Sequence, residues 1–215
     1  MKFTKLSLIA ALAVSAMTTS AMAEMEVSAN VSATNNYVWR GMTQTNNNAA
    51  VQGGLDIGIG GFYLGTWASN VTNDTEVDGY VGYGGEIDGL SYDIGAIRYG
   101  YLDSSSSNFN EAYLGLGYDF GAASLGVTYS KGLGEWADGS DVTDDIAVDF
   151  SVPVMQDYSL DLAYGDYDEV GTRYSVGVSK SFDKIDFSVA YHNFDHDTTA
   201  ASDEKNVVVS VGTSF

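Results

Sequence analysis

Three observations predict an all-β protein, a transmembrane up-and-down antiparallel β-barrel of about 12 strands. Apolar and polar residues alternate with period two, connections alternate between short and long, and aromatics gather near the ends of the apolar faces. The alternation is plain in Val27, Ala29, Val31 and Ala33 against Ser28, Asn30, Ser32 and Thr34. It returns in Ile185, Phe187, Val189 and Tyr191 against Asp186, Ser188, Ala190 and His192. Successive side chains of a strand point to opposite faces, so the pattern gives each strand one apolar face. After residue 24 there is no helical stripe of any length and no apolar run long enough for a transmembrane helix.

In chain order the strands are predicted at 26–39, 49–59, 61–70, 76–85, 90–102, 110–119, 123–131, 144–153, 158–166, 171–182, 185–194 and 206–215. Short turns fall at Gly60-Gly61, Glu86 to Gly89, Phe120 to Ala122, Pro153 to Asp157 and Asp183-Lys184. Between them lie the longer polar segments GMTQTNNN, SNVTNDT, DSSSSN, KGLGEWADGSDVTDD, GDYDEVG and NFDHDTTAASDEKN. Short turns on the periplasmic side and longer loops outside are the pattern of a membrane barrel. An even strand number then puts both ends of the barrel on the turn side. A soluble β-sandwich also alternates, but it shows charge on its outer faces. Here the polar faces hold Gly, Ser, Ala and scattered Asp with almost no Lys. Tyr37, Trp39, Phe62, Tyr92, Tyr118, Tyr129, Phe150, Tyr158, Tyr164, Tyr174, Phe182 and Tyr191 lie on the apolar faces, where interfacial girdles are expected.

Residues 1–23 read as a cleaved secretory signal peptide and 24–215 as the barrel. Lys2 and Lys5 precede an apolar stretch from Leu6 to Met17, and Ala21-Met22-Ala23 gives a small-x-small cleavage site before Glu24. The chain has no cysteine, which removes thiolate catalysis and Cys-based metal sites. Acidic residues number 29 against 9 Lys and Arg, for a net charge of −20. Phosphate binding needs clustered cations, so nucleic acid is excluded as a partner. The 13% aromatic content argues against disorder.

A twelve-strand ring is wider than one that side chains must fill and narrower than an open sixteen-strand channel, so side-chain size decides. Most inward positions are small: Ser28, Ser32, Gly54, Gly65, Gly82, Ser124, Gly126, Ala163, Gly177, Ser188 and Gly212 among them. Tyr63, Trp67, Tyr80 and Tyr113 share that face and could close the gap. The same phase puts Asp56, Asp78, Asp93, Glu111, Asp149, Asp161 and Asp186 inside, with Arg173 against them. Rings of acidic side chains favour cations in a pore. Arg98 breaks the phase: it faces lipid near the rim, or a bulge near Gly95 turns it inward to line the pore.

The stretch Tyr37-x-Trp39-Arg40-Gly41, followed by Gln44-Thr45, Gln52-Gly53-Gly54 and Gly61-Phe62-Tyr63-Leu64-Gly65-Thr66-Trp67, resembles the opening of the TorF family of bacterial outer-membrane porins. Residues 78–101 are similar to the family's next hairpin, and Ala49 or Ala50 stands where members often carry Pro. The resemblance implies an outer-membrane pore of unassigned substrate, with no catalytic residues to transfer.

The expected function is passive diffusion of small hydrophilic solutes across the outer membrane of a Gram-negative bacterium, with weak cation preference. The alternative is a non-conducting structural or adhesive barrel acting through its loops. No enzymatic activity and no cofactor or metal is expected. His192 and His196 are the only histidines, about 13 Å apart along a strand, too far to share one metal. The acidic loops lack the fixed spacing of an EF-hand. Outer-membrane lipid, lipopolysaccharide and the barrel assembly machinery are the expected partners, with Phe215 on the last alternating strand as the assembly signal. No feature sets the oligomeric state.

Overall fold

A computed structural model describes residues 25–136, 138–155 and 157–215. The predicted signal segment 1–23 lies outside them. The strands are β1 (Glu26–Thr34), β2 (Val38–Trp39), β3 (Met42–Thr43), β4 (Ala50–Ile59), β5 (Phe62–Val71), β6 (Asp74–Ile87), β7 (Leu90–Tyr99), β8 (Phe109–Asp119), β9 (Ser124–Leu133), β10 (Asp145–Met155), β11 (Tyr158–Tyr167), β12 (Gly171–Phe182), β13 (Ile185–His196) and β14 (Glu204–Ser214). Twelve of them, β1 and β4 to β14, close an antiparallel barrel in sequence order, and β2 and β3 form a separate two-stranded ribbon. The expected fold class and strand number therefore hold.

Apolar alternation decides which face meets lipid. Leu55, Leu64, Val81, Ile94, Leu114, Val176, Val189 and Val209 point outward and are exposed. So continuous an apolar surface is unsuited to water and suited to a bilayer, where closure also leaves no unpaired strand edge. Aromatic contacts mark the two borders of the band. Phe62–Tyr83 and Tyr118–Phe120 lie at the end carrying the short turns, and Tyr174–Tyr191 near the end carrying the loops. Tyr174 and Phe182 belong to one strand. At ~3.3 Å per residue and a tilt of about 40°, they are separated by roughly 20 Å of membrane depth. Lys180 sits in the turn-end border with its ammonium 4.4 Å from the Tyr158 ring centre.

Several boundaries differ from the sequence reading. The first strand stops at Thr34 instead of running to residue 39, because Asn35 and Asn36 interrupt the apolar alternation. Residues 35–49 then turn into the barrel. Tyr37 and Trp39 are consequently not girdle residues; both lie inside. The segment 69–75, expected as a long loop, is almost entirely strand, since β5 and β6 stay paired as far as Val71↔Asp74. Only Thr72 and Asn73 turn the chain, with Asn73 at φ +61°. The connection after β11 is likewise only residues 168–170, with Glu169 at φ +58°.

The seam between β1 and β14 runs from Asn30↔Ser214 to Thr34↔Ser210. It is lengthened at the turn end by the Phe215 N–H, which donates to the Ala29 carbonyl at 2.8 Å. At the loop end the Asn35 side chain imitates a backbone unit. Its Nδ2 donates to the Val207 carbonyl at 3.0 Å and its Oδ1 accepts from the Val209 N–H at 2.7 Å. Asn35→Ala is expected to destabilise the folded barrel by about 1–2 kcal/mol, the loss of two net hydrogen bonds. Equilibrium urea unfolding in detergent, followed by tryptophan fluorescence, checks this.

Candidate functional site

The segment 35–49 forms the centre of the site. Arg40 and Gly41 link β2 to β3 with φ of +47° and +86°. Two successive positive φ values make a type I′ turn, whose twist matches a tight hairpin. Gly41 is required twice over. A Cβ there would lie 3.0 Å from the Arg173 Cβ and 3.0 Å from the Phe194 ring, in a backbone conformation that side chains disfavour.

The base of the hairpin is held by a hydrogen-bond cluster around the buried Asn36. Its Oδ1 accepts from the Thr43 hydroxyl at 2.6 Å and the Thr45 hydroxyl at 3.0 Å, and its Nδ2 donates to Asn206 Oδ1 at 3.2 Å. Glu204 of β14 accepts from the Thr43 N–H at 2.8 Å. These contacts aim the hairpin across the lumen.

At its tip Arg40 meets the far wall. In the ring of twelve, β9 stands six places from β1 in either direction, and Arg40 reaches the strands on both sides of it. Its two terminal nitrogens donate to Glu111 of β8 at 2.7 and 2.8 Å, and its Nε lies 3.4 Å from Asp145 of β10. Asp145 is also gripped by Arg173 of β12 at 2.5 and 2.8 Å. The result is a chain Glu111–Arg40–Asp145–Arg173 in which each charge is matched. The Glu111 side chain is 1% exposed and that of Arg40 8%. Trp39 packs edge-on against Tyr99, Phe109 and Tyr167, and the guanidinium lies 4.3 Å from the Trp39 ring centre.

The lumen is therefore lopsided. Beside β6 to β9 it is filled by Ile97, Tyr99, Phe109, Tyr113 and Val142, with Tyr80, Tyr101 and Trp136 packed on them. Along β11 to β14 and β1 the inward positions are small: Ala163, Ser175, Gly177, Ser188, Ala190, Ser210, Gly212 and Ser32. At the loop end the same wall carries the hairpin, whose Gly41 meets Arg173 and Phe194.

Of the residues expected to line a pore, eight face inward. Asp56 accepts from the Tyr80 hydroxyl at 2.5 Å and Asp93 from the Tyr63 hydroxyl at 2.7 Å, with Tyr63 also bonded to Tyr113. Asp161 accepts from Ser151 and Ser179 at 2.6 and 2.7 Å, and Asp186 from Ser181 at 2.5 Å. Asp78 is buried on β6, and Asp149 lies on the inward face of β10. Glu111 and Arg173 belong to the ion-pair chain. The ninth, Arg98, is a correction. The register of β7 is regular through Gly95↔Gly82 and Arg98↔Gly79, with no bulge, so Arg98 remains on the outer face. It lies next to the loop end of β7 and donates to Asn110 at 3.1 Å, where the cost of a cation near lipid is small.

Sequence reasoning did not single out Asp145, Glu76 or the inward turn at Arg40. Period two from Asp78 places Glu76 inside, while Arg40-Gly41 supplies only the glycine of a two-residue hairpin signal, whose first residue is ordinarily Asn, Asp or Gly. Outside the membrane, burial pushes the Asp144 carboxyl up, but hydrogen bonds from Tyr129, Lys131 and the Gly132 N–H outweigh it and hold Asp144 below the usual range. Among the described residues no three His, Asp or Glu side chains converge as a metal site. His192 faces the lumen, and among the described residues no serine or carboxylate hydrogen-bonds its imidazole.

The chain belongs to the bacterial family of unknown function Gcw_chp, whose model matches residues 18–215. The match is to that family and not to one described as TorF. Curated proteins offer no match. Among solved structures the NanC porin is similar at 13% identity and a TM-score of 0.58, covering 87% of this chain and 98% of that one. Outer membrane phospholipase A from Escherichia coli is similar at 11% identity and 0.58, covering 86% and 92%. At these identities the likeness is one of fold, that of bacterial outer-membrane barrels.

Removing one partner of a buried pair strands the other charge. Arg40→Ala is expected to cost about 3–5 kcal/mol, while Arg40→Met with Glu111→Met recovers most of it. A double-mutant cycle by urea unfolding measures both.

Proposed function

We propose that this barrel is an outer-membrane porin for small hydrophilic solutes, narrowed by the hairpin of residues 35–49 and weakly selective for cations. One observation carries the selectivity. The two inward arginines are engaged by Glu111 and Asp145, whereas Asp56, Asp93, Asp149, Asp161 and Asp186 form no ion pair among the described residues. The uncompensated field inside the barrel is negative, and such a field concentrates cations. The small side chains along β11 to β14 support a lumen less filled on that side than beside β6 to β9. The resemblance of residues 30–71 to TorF porins agrees with this reading.

On this reading the protein resides in the outer membrane, with its turns in the periplasm and its loops among lipopolysaccharide, and it catalyses no reaction. Phe215 is the signal met by the barrel assembly machinery; its main chain pairs with Ala29 and its ring lies exposed on the outer face. A second reading, a closed structural barrel, is favoured by the reach of Arg40 across the lumen to Glu111.

Planar bilayers separate the two. The porin is expected to give discrete conductance steps and a reversal potential of cation-selective sign under a KCl gradient. Arg40→Ala should raise the conductance severalfold. A silent wild-type barrel supports the closed reading, and anion selectivity overturns the cation preference. Deleting Phe215 is expected to lower membrane-inserted protein more than exported protein; fractionation with unchanged membrane levels would contradict its role.

A further inference from the structure

β6 carries two carboxylates that the ion-pair chain leaves unused. Glu76 and Asp78 are two residues apart, so both face the lumen, and they are 2% and 4% exposed. Neither forms an ion pair among the described residues. Their hydrogen bonds are long: Asp78 Oδ1 accepts from the Gly100 N–H at 3.4 Å and Glu76 Oε1 from the Tyr37 hydroxyl at 3.5 Å. Glu76 Oε2 is buried with no hydrogen-bond partner among the described residues, and so is Oδ2 of Asp74, two residues further along the same face. Asp78 lies within electrostatic reach of Glu76. The inner hairpin forms the roof. Tyr37 packs edge-on at 5.4 Å against Trp67, which is the cross-strand partner of Asp78.

Burying a carboxylate costs several kcal/mol unless it is paired, hydrogen-bonded or bound to a metal. A proton shared between the two carboxylates would still leave one charge buried. A cation instead turns the orphan lone pairs into ligands. Two carboxylates match a divalent charge, and a donor set of oxygen alone suits a hard ion.

We propose that Glu76 and Asp78, roofed by Tyr37, bind a hard divalent cation such as Ca²⁺ inside the barrel, between β6 and the inner hairpin. Two carboxylates fill only part of the six to eight oxygen positions of Ca²⁺, so water and carbonyls complete the shell. The affinity belongs at the weak end of protein calcium sites, about 10⁻⁴–10⁻³ M. The site is distinct from the acidic outer loops, and its occupancy does not require the barrel to conduct.

Tb³⁺ luminescence on the refolded, EDTA-treated barrel tests it, because Tyr37 and Trp67 stand beside the carboxylates as sensitisers. The expected result is sensitised emission that Ca²⁺ competes away. It should fall at least fivefold in Glu76→Gln/Asp78→Asn and persist in the loop variant Asp138→Asn/Asp141→Asn. Ca²⁺ should also raise the thermal unfolding midpoint of the wild type above that in NaCl of equal ionic strength. Emission unchanged in a folded Glu76→Gln/Asp78→Asn barrel overturns the proposal, as does a wild type with neither emission nor a thermal shift. Should the double variant fail to fold, Asp78→Asn alone is read by the same two outcomes.

Discussion

A guanidinium stays charged at any physiological pH, and its donors form a rigid planar fork. Placed inside a barrel, it needs carboxylates at fixed positions around it. Arg40 is such a group, and Glu111 and Asp145 meet it from the two strands that flank the point opposite its own hairpin. This demand organises the loop-end half of the lumen. It calls for the type I′ turn that projects the side chain, for the hydrogen at Gly41 that lets the turn pass Arg173 and Phe194, and for Arg173 to balance the second charge of Asp145. The aromatic rings around Trp39 exclude water from the pair and so strengthen it.

The turn-end half is built on another principle. There the acids have no cations beside them and are capped by hydroxyls from Tyr63, Tyr80, Ser151, Ser179 and Ser181. A hydroxyl orients a carboxylate and shares part of its charge without cancelling it. The lumen thus passes from a matched, packed layer under the loops to a polar, negatively biased one above the turns. Within the loop-end half Glu76 and Asp78 are exceptional, being as buried as the first group and as unmatched as the second.

Most of the fold was legible in the sequence because a barrel strand is a local object. Period two, aromatic borders and the alternation of connections are each visible within a few residues, and closure follows from an even strand count. The inward phase of Asp56, Asp93, Asp161 and Asp186 was legible for the same reason. What the sequence concealed depends on contacts between distant residues. Asn35 reads as one more residue of the first strand, yet the backbone ladder ends at Thr34 and it is the Asn35 side-chain amide that extends the pairing to β14. Tyr37 and Trp39 keep the outward phase of a strand that has already ended, so alternation misplaces them. The two-residue turn after β5 was hidden by polar residues, which suit a loop and an exposed strand end equally well. Arg98 was ambiguous from local sequence because only the pairing of β7 with both neighbours excludes a bulge.

The separation in sequence between Arg40 and its partners bears on how the barrel is made. Glu111 lies 71 residues beyond Arg40, and Asp145 and Arg173 follow later still. The hairpin therefore has no far wall to grasp while only the early strands are in place. Contacts of such long range form late, since the entropy of closing the chain must be met before they give anything back. The hairpin seats on a wall that already exists, and the ion-pair chain becomes a check on completed architecture. A chain whose strands had slipped by one residue would turn Glu111 and Asp145 toward lipid, and Arg40 would find no acceptor. The interior of the protein thus proofreads its own perimeter.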